Sequence, residues 1–436
     1  MTSIVAIARR LFPFDYSITG PGADEAVSAI RTELNFAVRE YASGCELNGW
    51  KIPPACVVEK AEIHRNGVLI HDATRLPMGV AAQSDSFVGT MPLQGLSDHL
   101  FTAGASPDAI PYHWQRLYRP DEPLWGFCVS QRFKESLTEG EYEVKLITRK
   151  FPSSMKVLTY ELEGQSKDTV IINAHNCHPY QANDDISGVA VGIEMMRHLA
   201  RRPRRLTYLL LVAPELFGPM FWLDEMPNDR LGNLKIALLL KSIGNPKPLR
   251  FQQSFTGNSA ADLAAHNVFR QRYGDYECSE FRALYGNDET VFEAPPFSIP
   301  SVSLTRWPFP EYHTNADVPD RLSEHHLQDT LSVALEICDA LEMDIHFKNS
   351  TRGLVSLSRH GLYKPVPVVG SKGVDYGSLD GRWNRLMNSL PRELDGKSSL
   401  LNIAERYGLP IREVHEYVCR WESAGLAHQV PAPAVA

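Results

Sequence analysis

A cluster of imidazole and carboxylate side chains follows one apolar run of this 436-residue chain. Residues 169–174 are apolar, and His175, His178, Asp184 and Asp185 come directly after them. Histidine and carboxylate are the ligand types that zinc takes from proteins. Open α/β sheets bind their ligands at the carboxyl ends of strands. The pattern therefore predicts a divalent metal site. The alternative is that one aspartate caps the next helix and the histidines are ordinary structural residues.

Acidic and imidazole groups also follow later apolar runs. Glu215 comes just after the run 206–213. A buried carboxylate there could act as a general base, or it could simply favour the start of a helix. His313 lies in a polar loop, and Asp288 and Glu289 lie in another loop upstream. If these loops leave one sheet, their side chains converge as they do in a metal-assisted hydrolase.

The elements that must position these groups follow an α/β pattern. Residues 140–345 alternate apolar strands with helical stretches, which predicts a sheet that is mostly parallel. The predicted strands include 169–174, 206–213 and 236–240, and the predicted helices include 187–200 and 217–225. Residues 46–139 are rich in proline, glycine and short β-like runs, so we expect a small inserted β-rich domain. Residues 1–45 and 140–345 then form the catalytic domain.

The C-terminal part has a different pattern. Residues 346–377 are expected to form a linker, and residues 430–436 a frayed tail. Within 378–430, three helices and a turn containing glycine predict a winged-helix module. The predicted helices cover 379–389, 399–407 and 411–425. Basic and acidic residues are equal in number there, so we expect packing or dimerisation rather than DNA binding.

The overall composition narrows the class of protein. Apolar residues make up 43% and charged residues 22% of the chain, and the formal net charge is −8. These values indicate a soluble globular protein and argue against nucleic acid or an anionic membrane as its partner. No apolar run is long enough to cross a bilayer, and the N-terminus lacks an export signal. Seven dispersed cysteines without a CxxC pair predict reduced thiols in the cytoplasm. A homo-oligomer is compatible with these features.

Together these motifs resemble those of the zinc aminopeptidase superfamily, which includes leucyl aminopeptidases and glutamate carboxypeptidase. The chain most resembles bacterial aminopeptidase-like proteins of unknown function that carry an inserted β domain and a C-terminal winged helix. The resemblance covers nearly the whole chain. It is carried by short matches in a constant order, namely 49–53, 108–112, 125–128, 140–144, His178-Pro179, Asn183-Asp184, Ser187-Gly188, 310–314 and Asp317.

The resemblance implies roles for particular residues. His175 matches the first metal ligand of the superfamily and Asp184 the carboxylate that bridges two metals. Glu215 matches the catalytic base, and His313 the last ligand. The implied fold is a mixed, mostly parallel sheet flanked by helices, and the implied cofactor is zinc.

Three positions depart from the superfamily pattern. Cys177 replaces an orienting aspartate, Leu216 replaces a metal-binding glutamate, and Lys241 replaces another aspartate ligand. Each of the two metal ions that the superfamily binds would therefore lose a carboxylate ligand, so we predict a single metal ion. The predicted ligands are His178, Asp184 and His313 with water, and His175 is a fourth ligand or lies behind them. Lys241 would replace the charge of the missing metal and could polarise the substrate carbonyl.

The predicted activity is hydrolysis of an amide bond in a small peptide or biosynthetic intermediate. Asp288 and Glu289 could bind a substrate ammonium, whereas Arg306 could bind a carboxylate through its guanidinium fork. Tyr312 is a further candidate for substrate binding. Two other classes stay open: a single-zinc acyltransferase or cyclase of the glutaminyl-cyclase type, and a metal-free binding protein.

Overall fold

The computed structural model describes residues 3–104, 106–365 and 375–433. The chain divides into two compact units. The first comprises the residues up to Arg250 together with Leu284–Leu331, and the second comprises Phe251–Ala283 and the chain from Ser332 onwards. All the predicted metal-site residues belong to the first unit.

The first unit is built on a mixed sheet. Its six strands lie in the order β1-β10-β12-β11-β13-β16, and β11, β12, β13 and β16 run parallel. The antiparallel strands β1 and β10 form one edge. The bounds are β1 (Ala37–Ala42), β10 (Ser154–Leu162), β11 (Thr169–His175), β12 (Thr207–Ala213), β13 (Leu234–Lys241) and β16 (Ser301–Thr305). This arrangement confirms the predicted mostly parallel α/β sheet.

Helices pack around this sheet. They are α1 (Ile4–Leu11), α2 (Pro21–Arg31), α6 (Ser187–Leu199), α7 (Phe217–Asp224), α8 (Asn228–Leu231), α10 (Glu289–Phe292) and the start of α11 (Glu324–Glu342). The central strands β11 and β12 are buried along their whole length, which explains their continuous apolar sequences. The predicted helices at 187–200 and 217–225 are confirmed by α6 and α7.

Glycine is needed where α6 begins beside the sheet. A Cβ atom at Gly188 would lie 2.4 Å from the Leu240 carbonyl oxygen and 2.5 Å from an Asp185 carboxylate oxygen. No side chain fits at those distances, so the Ser-Gly pair lets the helix start against β13. The same close approach brings the turn before α6 next to the strand ends.

The insertion forms a β-rich body within the first unit. Its main sheet has the order β5-β4-β9-β6, and a core that includes Phe127, Tyr142 and Leu146 fills one face. The elements are β2 (Glu46–Leu47), β3 (Trp50–Lys51), β4 (Ala55–Arg65), β5 (Val68–Asp72), β6 (Phe87–Pro92), α3 (Leu93–Ser97), β7 (Leu100–Phe101), α4 (Gln115–Tyr118), β8 (Phe127–Cys128), α5 (Gln131–Ser136) and β9 (Glu141–Phe151). The sheet therefore extends to residue 151, beyond the predicted boundary at 139.

The second unit contains a small parallel strand pair and a C-terminal module. The pair is β14 (Arg250–Gln252) with β15 (Cys278–Ser279), and α9 (Ala260–Tyr273) lies between them in sequence. The module has a three-stranded antiparallel sheet in the order β18-β17-β19. Its elements are β17 (His346–Asn349), α12 (Leu379–Glu393), β18 (Asp395–Ser399), α13 (Leu400–Tyr407), α14 (Ile411–Ser423) and β19 (Ala427–Val430).

The three predicted C-terminal helices are confirmed by α12, α13 and α14, whereas the winged-helix assignment stays a prediction. The predicted linker differs at its start, because residues 346–349 form strand β17 and pair with β18 and β19. Residues 366–374 of that linker and 434–436 of the predicted tail lie outside the described residues. None of the seven cysteines, which all lie in the described ranges, forms a disulfide bond. Within the described ranges, no helix combines the length and the apolar character that a membrane span requires.

Candidate metal centre

The predicted site residues come together at the carboxyl ends of the parallel strands. His175 ends β11, Lys241 ends β13, and Glu215 lies two residues after β12. The turn between β11 and α6 carries His178 and Asp184. The loop after β16 brings in His313. The side chains therefore come from four strand ends, where the sequence placed them.

His178, Asp184 and His313 form a candidate metal site, because one ligand atom from each lies within 4.8 Å of the others. The Asp184 Oδ2 atom is 3.6 Å from His178 Nε2 and 3.5 Å from His313 Nε2. The Nδ1 atom of His178 lies 2.8 Å from the Pro179 carbonyl oxygen. A proton on Nδ1 would make that hydrogen bond and leave the Nε2 lone pair facing Asp184.

The chemistry of these three residues fits a zinc ion. The His178 Nε2 atom and the Asp184 Oδ2 atom are buried and make no hydrogen bond within the described part of the chain. Buried polar atoms without hydrogen bonds are costly unless another ligand satisfies them. Two imidazoles and one carboxylate with a fourth position open are a ligand set of catalytic zinc sites. The three predicted ligands could therefore hold one ion.

The turn that carries Asp184 is held by a second buried aspartate. The carboxylate of Asp317 accepts the backbone N–H groups of Asn183 and Asp184 at 2.8 and 3.0 Å. Burial raises the Asp317 pKa well above its usual range against these hydrogen bonds. In the sequence, Asp317 matches the motif of the family that the chain resembles, but no role was predicted for it. It lies four residues after His313, and the spacing of the apolar residues does not show what this carboxylate does.

Lys241 lies on the opposite side of Asp184 from the two histidines. Its Nζ atom is 3.0 Å from Asp184 Oδ1 and 3.5 Å from Glu215 Oε1. Burial disfavours the charge of Lys241, but Asp184 and Glu215 outweigh burial and raise its pKa well above the usual value. Burial likewise opposes the charge of Asp184, yet Lys241, His175 and His178 hold its pKa well below the usual range. An ammonium group thus lies between the two carboxylates.

His175 belongs to the Lys241 side of the cluster. Its Nε2 atom is 3.2 Å from Asp184 Oδ1 and 3.5 Å from Lys241 Nζ. The Asn287 amide nitrogen is 3.4 Å from the other ring nitrogen. Burial and the Lys241 charge lower the His175 pKa, which favours the neutral imidazole. Asp184 therefore presents Oδ2 to His178 and His313, and Oδ1 to His175 and Lys241.

A second group of possible ligands contains His175, Cys177 and Glu215, whose ligand atoms lie within 4.8 Å of one another. Burial raises the Cys177 pKa well above its usual value, so the thiol stays protonated. The Lys241 ammonium lies 3.5 Å from both the histidine and the glutamate. A metal ion at this position would be close to a fixed positive charge. That Lys241 replaces the second metal stays a prediction.

Backbone strain occurs at the cluster as well as elsewhere in the described chain. Leu216, Ser242 and His313 adopt positive φ angles of 62°, 55° and 54°. Residues other than glycine are held in this region only when the surrounding structure fixes them, and such residues cluster at functional sites. Each of the three lies at or next to a predicted site residue. The sequence gives no sign of this, because none of the three positions is a glycine.

A cavity of about 280 Å³ opens beside the cluster. Glu215, His178 and His313 lie in its wall, and Tyr312 lines it as well, where the sequence predicted a substrate contact. The remaining wall is largely apolar and aromatic, with Ile18, Tyr112, Trp114, Leu117, Tyr118, Cys177, Leu216 and Gly286. A larger cavity of about 520 Å³ shares Ile18, Tyr112 and Leu117 with it.

The inserted body supplies part of this site. The Tyr112 ring stacks on His178, with ring centroids 4.7 Å apart, and meets His313 edge-on at 5.6 Å. The Tyr112 N–H donates a hydrogen bond to the His313 carbonyl oxygen at 2.8 Å. Pro111 and Thr314 form an antiparallel bridge next to it. The sequence gave Tyr112 no role, because the contact joins residues two hundred positions apart.

Two predicted ammonium-binding residues lie beneath the site rather than in the cavity wall. Asp288 is fully buried, and its Oδ1 atom accepts the Leu216 N–H at 2.6 Å. The Glu289 Oε1 atom accepts the Asn287 N–H at 2.9 Å. Burial is the main cause that raises the pKa of Asp288 to about 8 and that of Glu289 to about 7. These contacts do not support a role for either residue in binding a substrate ammonium.

Arg306 also has a structural role. Its buried guanidinium donates hydrogen bonds to the carbonyl oxygens of Ile243 and Lys247, at 3.1 and 2.6 Å. It also forms an ion pair with Asp329 at 2.8 Å. The guanidinium is thus committed to the protein, and the expectation that Arg306 binds a substrate carboxylate is corrected. Its sequence position after an apolar strand was the only signal, and that signal fits a buried structural arginine equally well.

This fold is similar to that of zinc aminopeptidases. The zinc aminopeptidase BSAP from Bacillus subtilis superposes with a TM-score of 0.56 at 14% identity, over 77% of this chain and 93% of that chain. A crystal structure of a provisionally assigned peptidase from Clostridium acetobutylicum superposes with a TM-score of 0.80 at 25% identity, over 98% and 96% of the two chains. The class is therefore an aminopeptidase-like α/β fold, which is the fold of peptidase-like hydrolases.

The family follows from the sequence comparison. The chain matches the family described as "Domain of unknown function (DUF4910)" over residues 5–344, and it belongs to that family. A curated relative from Clostridium acetobutylicum is 27% identical over 415 residues, which cover 94% of this chain and 92% of the relative. The name of that relative assigns it, provisionally, to polysaccharide biosynthesis and gives it an aminopeptidase-like domain.

Proposed function

We propose that this protein is a metal-dependent amide hydrolase that uses a single zinc ion held by His178, Asp184 and His313. The observation that carries the proposal is the division of the Asp184 carboxylate. Its Oδ2 atom faces two imidazoles, whereas its Oδ1 atom faces an ammonium group. The Oδ2 side therefore offers ligands for a cation, whereas the Oδ1 side is already paired with the Lys241 ammonium.

Glu215 is the proposed general base. It lines the cavity beside His178 and His313, and Lys241 is 3.5 Å from its Oε1 atom. A zinc ion bound at the three ligands would lower the pKa of a water molecule to about 7 and polarise a carbonyl. Glu215 takes a proton from the attacking water and gives it to the nitrogen of the leaving amine. The C–N bond breaks, and an acid and an amine are released.

Lys241 supports this chemistry through its charge. The ammonium balances Asp184 and Glu215 in a buried setting, where an uncompensated carboxylate would bind a proton instead. It also provides a fixed positive charge close to the base. A fixed charge near the reacting centre stabilises negative charge that develops on the substrate oxygen.

The test begins with metal content, because it does not depend on the substrate. Protein purified without added metal should contain about one zinc per chain by mass spectrometry. The His313→Ala variant should contain none, and the exposed His325→Ala variant should match the parent. Two zinc ions per chain would contradict the single-metal site, and no metal in the parent would favour a binding protein instead.

Activity is tested next on amide substrates with analysis of both products. The parent should release an acid and an amine in equal amounts, lose activity on chelation and regain it with zinc. The Glu215→Gln variant should keep its metal and lose activity by about 10²- to 10⁴-fold, which is the usual contribution of a general base. Transfer of the acyl group to a second amine, or ring closure without uptake of water, would indicate an acyltransferase or cyclase.

A further inference from the structure

The cavity beside the candidate metal centre has a largely apolar and aromatic wall. Ile18, Trp114, Leu117, Tyr118 and Leu216 are among the residues that line it. Its ionisable residues are the imidazoles His178 and His313, the carboxylate Glu215, the thiol Cys177 and the tyrosines 112, 118 and 312. Of the described residues that form this wall, Glu215 is thus the one carboxylate.

That carboxylate already has a partner. Glu215 Oε1 is 3.5 Å from the Lys241 ammonium, and the proposed reaction needs the same carboxylate as its base. A substrate ammonium that approached Glu215 would also approach the Lys241 charge. The two like charges would repel each other strongly, because the site is largely shielded from water.

Among the described residues, no other acid lies in the wall of this cavity. Asp288 accepts the Leu216 N–H, and Glu289 accepts the Asn287 N–H, and neither lines the wall. Leu216, which does line the wall, presents an apolar side chain immediately after the base. A free amino group would therefore lose its hydration without gaining an ion pair.

The aromatic part of the wall is held in a fixed arrangement. The Tyr118 ring meets Trp114 edge-on at 4.9 Å and Trp50 at 5.3 Å. Trp50 in turn packs edge-on against Phe217 at 5.3 Å. A rigid surface of aromatic rings favours a flat, apolar ligand group, because little side-chain freedom is lost when it binds.

We propose that the cavity binds an uncharged, apolar acyl group, so that the preferred substrate is an amide without a free amino group next to the scissile carbonyl. This proposal rests on the proposed hydrolase function and states its substrate class. The acyl group occupies the cavity of about 280 Å³ between Trp114, Tyr118 and Leu216. The amine side of the amide extends away from this wall.

The test compares ligands that differ only in the amino group. Binding of 3-phenylpropanamide and of phenylalaninamide is measured by calorimetry to the zinc-loaded protein and to the chelated protein. The uncharged amide should bind at least ten times more tightly. Equal binding, or tighter binding of phenylalaninamide, would overturn the proposal whatever the catalytic activity.

The matching anilides test turnover separately. The 4-nitroanilide of 3-phenylpropanoic acid should be cleaved with a kcat/KM at least ten times that of phenylalanine 4-nitroanilide. Preferred cleavage of the phenylalanine compound would overturn the proposal and leave the hydrolase function intact. Tight binding of the uncharged amide without cleavage of either anilide would leave the substrate class standing and count against the hydrolase function.

Variants locate the binding surface. Trp114→Ala should weaken binding of 3-phenylpropanamide about tenfold, which is the effect of losing one good aromatic contact. The exposed Tyr363→Ala variant serves as the control and should bind like the parent. Unchanged binding in Trp114→Ala would show that the acyl group lies elsewhere and would overturn the assignment of this cavity.

Discussion

Lys241 and Asp184 form a buried ion pair in which Nζ and Oδ1 are 3.0 Å apart, and both side chains are almost completely shielded from water. The same aspartate faces His178 and His313 through its other oxygen. In the superfamily that the sequence resembles, this aspartate bridges two metals. In this protein, the Lys241 ammonium lies on one of the two sides of Asp184.

Lys241→Met should remove the positive charge while keeping much of the side-chain volume. We expect kcat to fall by about 10²- to 10³-fold, which is typical when one stabilising group is lost near a reacting oxygen. Breaking a buried ion pair should also cost about 3–5 kcal/mol of unfolding free energy. The measurements are steady-state kinetics and urea unfolding of the zinc-loaded protein. An unchanged kcat would show that Lys241 has only a structural role.

His175→Ala should retain about one zinc per chain. His175 faces the Oδ1 side of Asp184 and lies 3.5 Å from Lys241, whereas the three proposed ligands meet on the Oδ2 side. Metal analysis alongside His178→Ala makes the comparison direct. Loss of zinc from the His175 variant together with its retention in the His178 variant would reverse the assignment of these two histidines.

Asp288→Asn should change how stability depends on pH. The Asp288 pKa is about 8 in the folded protein against an ordinary value of 3.8, so the folded state holds the proton more tightly. The contribution of the protonated Asp288 carboxyl group to the unfolding free energy is therefore complete below pH 4, and it is lost as the pH rises towards 8. The variant lacks this titration and should lose less stability than the parent between pH 5 and pH 8.

The comparison uses urea unfolding midpoints of the chelated protein at both pH values. The exposed Asp224→Asn variant provides the control for the same substitution at the protein surface. If Asp288→Asn has the same pH dependence as the parent, then Asp288 is ionised in the folded protein over this range.

Tyr112→Ala should weaken metal binding although Tyr112 is not a proposed ligand. The ring stacks on His178 and meets His313 edge-on, and the alanine variant loses both contacts although it keeps the backbone N–H that donates to the His313 carbonyl oxygen. Loss of groups that orient ligands commonly lowers metal affinity by about 10- to 100-fold. Tyr112→Phe keeps the ring and should bind zinc like the parent. Competition with a chelating dye measures both affinities, and equal affinity in the alanine variant would refute the positioning role.

Arg306→Ala should lower the stability of the protein. The fraction of the variant that still folds should have the same KM as the parent. The guanidinium is buried against backbone carbonyl oxygens and pairs with Asp329, so its loss leaves these groups without a donor. We expect a loss of about 3–5 kcal/mol of unfolding free energy. Arg306→Lys should restore part of it, because a lysine keeps the charge but not the fork. A raised KM with normal stability would show instead that Arg306 contributes to substrate binding.

The sequence predicted the sheet because a buried strand is a local pattern, and two of the proposed ligands follow such a strand closely. Buried strands such as β11 are continuous apolar runs, and His178 and Asp184 follow one of them within ten residues. Substrate contacts could not be predicted in the same way. Asp288 and Arg306 have the right chemistry in the right loops, but their direction is set by backbone groups that only the fold brings near them.

The pairing of the inserted segment with the His313 loop has a consequence for how this protein can be altered. Backbone hydrogen bonds join Ile110 with Asn315 and Tyr112 with His313, so the two segments behave like neighbouring strands. A shortened chain without the insertion would lose the support of a proposed ligand along with a cavity wall. Grafting the insertion from a relative would require exchanging the His313 loop with it, because the two pieces are fitted to each other as a single unit.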